Sequence, residues 1–201
     1  MRNFSRYQMR IARAIRAFTP RRFASAAATS TSILKEQAAT LFSQGVTKFE
    51  QDDIQEAKEL FEQALAADPG CENVNFNLGN CSYALKDPEG ALEYWQRSAE
   101  QRPRADAHLN MANVYALVEK QLSKALPHYK KAVELEPNDG EIRFNYGVVL
   151  EAAARFPEAI EEYQSAKKLG INTDKNLRNV LAKYAGQQAD AEPVDATKAK
   201  Q

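Results

Sequence analysis

Five asparagines recur at fixed places in the sequence, and they are the residues best suited to bind another molecule. Asn77, Asn110 and Asn145 share one offset of a repeating pattern. Asn80 and Asn113 lie three residues after the first two. A primary amide offers donors and an acceptor together, so a row of them can pair with the backbone of an extended peptide without reading its side chains. Asp106 and Glu141 stand near this row and make its surroundings acidic. These seven residues are the candidate partner-binding set. No catalytic set accompanies them. His108 and His128 fall on different helices, and packing is the expected role of His108. No Cys–His or His–His ligand spacing is present, so a zinc site is not expected. Cys71 and Cys81 are ten residues apart, about 15 Å along a helix, which is beyond disulfide reach. Gly-rich phosphate loops are absent and no cofactor is expected. Glu161-Glu162 and Lys167-Lys168 read as a solvated helix face.

Charge narrows the classes further. The 201 residues carry 27 Lys+Arg and 27 Asp+Glu. The balance hides an asymmetry: seven Arg and no acid lie in residues 1–31, which leaves residues 32–201 at −7. A body of that charge is a poor nucleic-acid binder, because phosphate affinity comes from Lys and Arg. No apolar run is long enough to span a membrane as a helix. Eight Gly and eight Pro amid much Ala, Glu, Leu and Lys point to an all-α chain.

On a helical wheel, Phe4, Tyr7, Ile11, Ala14, Ile15 and Phe18 take one side of residues 1–18, and Arg2, Arg6, Arg10, Arg13 and Arg16 the other. A basic amphipathic segment without acids, followed by Ala and Ser, has the composition of a mitochondrial transit peptide. Its cations respond to a potential negative inside, and its apolar stripe suits a receptor groove or membrane surface. Arg21-Arg22-Phe23-Ala24-Ser25 resembles a matrix-processing site and places the cut between Phe23 and Ala24. A permanent amphipathic anchor is the alternative; a chloroplast address usually has more Ser and less regular Arg.

The body repeats. Segments 38–71, 72–104, 105–139 and 140–173 share one template. A small residue (Gly45, Gly79, Ala112, Gly147) comes first, then an alanine (Ala57, Ala91, Ala125, Ala159), then an aromatic (Phe61, Trp95, Tyr129, Tyr163). A second small residue follows (Ala64, Ser98, Ala132, Ala166), and Pro69, Pro103 or Pro137 ends the first three segments. Glycine inside a helix costs about 1 kcal/mol against Ala, so its recurrence argues for a close helix crossing. The aromatic fills space towards the next repeat, and proline stops the second helix. This pattern resembles the tetratricopeptide repeat (TPR) family, whose repeats of about 34 residues are helix–turn–helix units. The resemblance implies an all-α, right-handed α-solenoid with first helices lining its concave face, and it puts the asparagines in that groove.

The departures carry expectations of their own. Segment three has one extra residue near Glu119, which predicts a slightly longer turn. Segment four lacks the proline, and residues 174–185 read as a capping helix with Thr173 or Asp174 as N-cap. The helix before Ala38 is expected to begin near Ser32, giving a repeat domain over 32–185. Residues 186–201 have no period and read as disordered. Some TPR proteins hold acidic chaperone tails with first-helix cations; Phe42, Asp106 and Asn110 occupy those positions here, so that mode is not expected. The resemblance implies a non-catalytic adaptor or assembly factor that grips an extended basic or neutral segment of a partner protein. A constitutive subunit of a larger mitochondrial complex and an accessory chain of an enzyme are the alternatives. Residues 1–35 fused to a fluorescent reporter should carry it into the mitochondrial matrix; a cytosolic reporter, or mature protein still starting at Met1, refutes the address.

Overall fold

The computed structural model describes residues 20–71 and 73–191, and every regular element among them is helical. The segment 1–19, with most of the expected transit peptide, lies outside the described residues. The helices are α1 (Pro20–Glu50), α2 (Ile54–Ala67), α3 (Val74–Ala84), α4 (Pro88–Gln101), α5 (Ala105–Asn113), α6 (Leu122–Leu135), α7 (Gly140–Ala152), α8 (Phe156–Lys168) and α9 (Asp174–Ala191). They pair as α1–α2, α3–α4, α5–α6 and α7–α8, one hairpin per repeat, with α9 as the cap. The chain divides into two compact units, Met1–Val74 and Asn75–Gln201. The first holds the α1–α2 hairpin; the second holds the later hairpins and the cap.

The small residue of each first helix has a specific reason. A Cβ on Gly79 would lie 2.5 Å from Cδ1 of Trp95. A Cβ on Gly45 would lie 2.7 Å from Phe61, and one on Gly147 would lie 2.8 Å from Tyr163. Each of these three aromatics thus occupies the space where a side chain on the first helix would be. Two of the template aromatics, Trp95 and Tyr129, also reach forward, as expected. Trp95 packs with Ala107 and Met111 of the next hairpin, and Tyr129 stacks on Tyr146 with centroids 6.0 Å apart. The four second-helix alanines at the template position are fully buried. Their neighbours are small because the ring needs the room.

One turn geometry closes every first helix. Asp52, Lys86, Lys120 and Ala154 follow the template small residue at matched places, and all have positive φ, between 53° and 66°. The left-handed residue lets the chain reverse while orphan carbonyls are satisfied. Asp53 N–H donates to Lys48 O at 3.0 Å, Asp87 N–H to Ser82 O at 2.9 Å and Arg155 N–H to Leu150 O at 2.9 Å. Two second helices start on a proline, α4 at Pro88 and α8 at Pro157, and in α4 Asp87 also accepts from Gly90 N–H at 2.9 Å.

Three expectations are corrected. The extra residue of repeat three does not lengthen the turn. It is absorbed inside the first helix as a π-helical turn, Val114–Val118, where Glu119 N–H donates to Val114 O at 3.0 Å. A wider turn keeps the backbone groups bonded, whereas a looser loop would leave them to find other partners. The first helix begins at Pro20, not Ser32, because the Ala-rich stretch before Ser32 is itself helix-forming. The cap does not end at residue 185: α9 runs to Ala191, so residues 186–191 are helical, and 192–201 lie outside the described residues. Thr173 precedes α9 as expected, but its hydroxyl donates to Tyr163 O at 3.0 Å and ties the cap to repeat four.

Two substitutions of opposite sign test this packing. Gly79→Leu should destabilise by at least the ~1–3 kcal/mol typical of overpacking, since Trp95 cannot move without leaving its own core. Ala154→Gly should raise the urea midpoint slightly. It relieves a left-handed conformation costing roughly 1–2 kcal/mol against about 0.5–1 kcal/mol of added chain freedom. Urea melts of both variants check the pair.

Candidate functional site

The candidate residues sit on the first helices of the second unit: Asn77 and Asn80 on α3, Asp106, Asn110 and Asn113 on α5, and Glu141 and Asn145 on α7. All five asparagines are half-buried, whereas Asp106 and Glu141 are exposed in the first turns of their helices. Carboxylates there are stabilised by the positive end of the helix dipole. Asp106 lies 4.0 Å from Arg104, whose guanidinium covers the Phe76 ring at 3.9 Å.

The structure joins two of the asparagines directly. Asn110 donates from Nδ2 to Asn80 Oδ1 at 3.3 Å, linking the first helices of successive repeats. It also shows what sequence reasoning missed. Asn80 Oδ1 accepts from Trp95 Nε1 at 3.1 Å, and Asn113 Oδ1 accepts from the Tyr129 hydroxyl. These two amides therefore hold the polar tips of the template aromatics. A buried indole N–H or phenol needs such a partner. Burial pushes the Tyr129 hydroxyl up to about 12. A signal for this was present in the sequence. The same place is Val46 where the aromatic is Phe61, which has no polar tip. It is Val148 in repeat four, where the Tyr163 hydroxyl turns instead to Glu151 Oε2 at 2.8 Å. Asn145 makes no side-chain hydrogen bond among the described residues.

His108 and His128 are brought together rather than kept apart. Their Nδ1 atoms are 3.2 Å apart, and Tyr115 of the π-turn stacks on His128 with centroids at 5.6 Å. Cys71 and Cys81 are not joined in a disulfide. Among the described residues, no cluster of three or more His, Cys, Asp or Glu could hold a metal ion. A cleft of about 690 Å³ opens elsewhere, between α6 and α8, floored by Leu126, Val133, Tyr146 and Leu150. The charges at its rim are largely paired: Glu134 with Lys131, Glu158 with Arg155 and Glu162 with Arg143.

The amide–aromatic bonds give a test of their own. Asn80→Ala leaves a buried indole N–H without its acceptor and should cost about 1–3 kcal/mol. In repeat three, Tyr129→Phe should recover part of the loss caused by Asn113→Ala, because it removes the orphaned donor. A double-mutant cycle by urea melts should give a coupling of about 0.5–1.5 kcal/mol.

The tetratricopeptide repeat family model matches residues 48–115 and 116–184. No curated protein matches the chain. Among solved structures, YrrB, described as a TPR protein with an unusual peptide-binding site, aligns with a TM-score of 0.67 at 21% identity, covering 77% of this chain and 79% of that one. A MamA protein aligns at 0.61 and 18% identity, covering 83% and 97%. The first TPR of Spaghetti (RPAP3), bound to the HSP90 peptide SRMEEVD, aligns at 0.56 and 22% identity, covering 60% and 95%. These likenesses carry the fold. The family match spans most of the chain and agrees with four hairpins in one register, so the chain belongs to the tetratricopeptide repeat family, an all-α solenoid fold that serves as a protein-interaction scaffold.

Proposed function

We propose that this chain is a non-catalytic mitochondrial adaptor that holds an extended, basic or neutral segment of a partner protein against the first helices of repeats two to four. The observation that supports it most is the Asn110–Asn80 bond. It brings amides of the first helices of repeats two and three within reach of one another, which supports a polar strip along that face. A strip of that kind suits backbone groups of an extended chain. Asn77, Asn110 and Asn145 are the contact residues in this reading. Asn80 and Asn113 contribute by fixing the strip to the core. Asp106 and Glu141, exposed beside it, favour cations on the partner. The peptide bound by the RPAP3 domain is acidic, and the missing first-helix cations here argue against an acidic ligand of that kind. The location rests on the Arg-rich segment 1–23, and assembly of a membrane complex is a role that such an adaptor would fill. A constitutive subunit of a larger complex is the second reading, favoured if the protein co-migrates stably with one complex on a native gel.

The triple change Asn77→Ala, Asn110→Ala, Asn145→Ala removes hydrogen bonds worth ~0.5–1.5 kcal/mol net apiece. It should weaken capture of the partner from mitochondrial extract at least tenfold, about 1.4 kcal/mol. Circular dichroism should remain that of a folded helical protein. Asp106→Asn with Glu141→Gln should flatten the salt dependence of capture. A folded triple variant with unchanged affinity would remove the first-helix face as the site.

A further inference from the structure

Two template places lie four residues before each small residue and one residue before each aromatic; in repeat two they hold Asn75 and Tyr94, and Asn75 Nδ2 donates to Gln101 Oε1 at 3.0 Å. In repeat four these places hold Arg143 and Glu162, an ion pair at 2.8 Å with both side chains 19% exposed. In repeat one they hold Leu41 and Leu60. In repeat three they hold His108 and His128. Where repeat four carries a permanent ion pair, repeat three therefore carries two side chains of the type whose ordinary titration lies near neutrality.

The geometry of the two rings selects what lies between them. Their centroids are 5.5 Å apart and their Nδ1 atoms 3.2 Å apart. The difference is one ring radius at each end, so both nitrogens sit on the line joining the ring centres. Each Nδ1 aims straight at the other. That is the alignment of a hydrogen bond. Two imidazoles holding one metal ion would aim at a point off that line, near the tetrahedral angle.

We propose that His108 and His128 form a proton-operated link: one Nδ1 proton shared between two neutral rings holds repeat three closed, and further protonation opens it. With one proton already on each neutral ring, a third would place two Nδ1 donors face to face at 3.2 Å, and a fourth would set like charges against each other. The surroundings oppose that charge. Burial holds both imidazoles below their ordinary range, with Lys131 acting next on His108 and His108 next on His128. Lys124 lies over Tyr115, which itself stacks on His128. The neighbouring helices carry the carboxylates Glu89, Glu93 and Glu100 on α4 and Glu141 and Glu151 on α7. Arg97 on α4 is paired with Glu93, and Arg143 on α7 with Glu162.

The sign follows from linkage. Both folded-state values are depressed, so the unfolded chain takes up protons first as the pH falls past about 6.5. Stability from this pair is complete above that point and is lost below it, down through the folded-state values. Opening would loosen the joint where the π-turn meets α6, since Tyr115 rests on His128.

The test compares three full-length proteins. His108→Leu with His128→Leu copies the pair of repeat one, and His108→Arg with His128→Glu copies that of repeat four. Urea midpoints are read at about pH 7.5 and about pH 5.5, either side of the ordinary histidine value. The wild type should lose midpoint over this interval beyond the loss in either variant; if one variant fails to fold, the other serves. At the higher pH, nitrogen-15 imidazole spectra should show one of the two histidines protonated on Nδ1. Equal losses in all the proteins overturn the proposal, as do spectra with both rings protonated on Nε2. A rise in the wild-type midpoint on adding zinc, absent from the Leu pair, would also overturn it and make the pair a metal site.

Discussion

The fold depends on an aromatic ring packed against a first helix whose facing residue is glycine or alanine. Trp95 over Gly79 is the tightest case, and Phe61 over Gly45 and Tyr163 over Gly147 repeat it. The contact explains several features at once. Glycine is tolerated mid-helix because the ring gains more by close approach than the helix loses in propensity. The alanines of the second helix must be small so that the ring can descend. The ring's far side then becomes the surface on which the next hairpin packs, as Tyr129 does on Tyr146. A repeat is thereby half-finished by itself and completed by its neighbour.

Such a ring brings a difficulty when it is Trp or Tyr. Its polar tip arrives in the interior with its donor to satisfy. Repeats two and three solve this with an asparagine one residue after the small residue. Repeat four uses Glu151 one turn further on, and the same carboxylate receives Lys183 from the cap at 2.7 Å. The cap is therefore tied to repeat four by a charge that the core already needed.

The hairpin register was legible because it is written as covalent spacing: a small residue, an alanine and an aromatic at constant intervals. The matched left-handed turns were not. Asp52, Lys86, Lys120 and Ala154 share a conformation but no residue type, and none is glycine. The π-turn was legible only as one residue too many. Whether that residue widens a loop or a helix depends on which backbone bonds survive, and sequence spacing is silent on that. The histidine pair was hidden for a related reason. Twenty residues separates two helices in the sequence but spans only the width of a hairpin in space. The equivalence with Arg143 and Glu162, at the same template places, was the signal available. Residues 186–191 were not legible as helix because an exposed helix has no apolar period to display.

The amide row is where core and binding face meet. Places two before and one after the small residue are three apart, so they lie on one stripe of the first helix. The inner edge of that stripe, Asn80 and Asn113, is bonded to the core aromatics. On the outer edge, Asn110 is bonded to the inner one through Asn80. A partner gripping Asn110 would thus be two hydrogen bonds from Trp95. Rotamers fixed in this way are ordered before any partner arrives, which lowers the entropy lost on binding. The same bonds that satisfy a buried indole therefore also prepare the surface proposed to recognise a peptide, and a natural change at the ring would be felt on the groove.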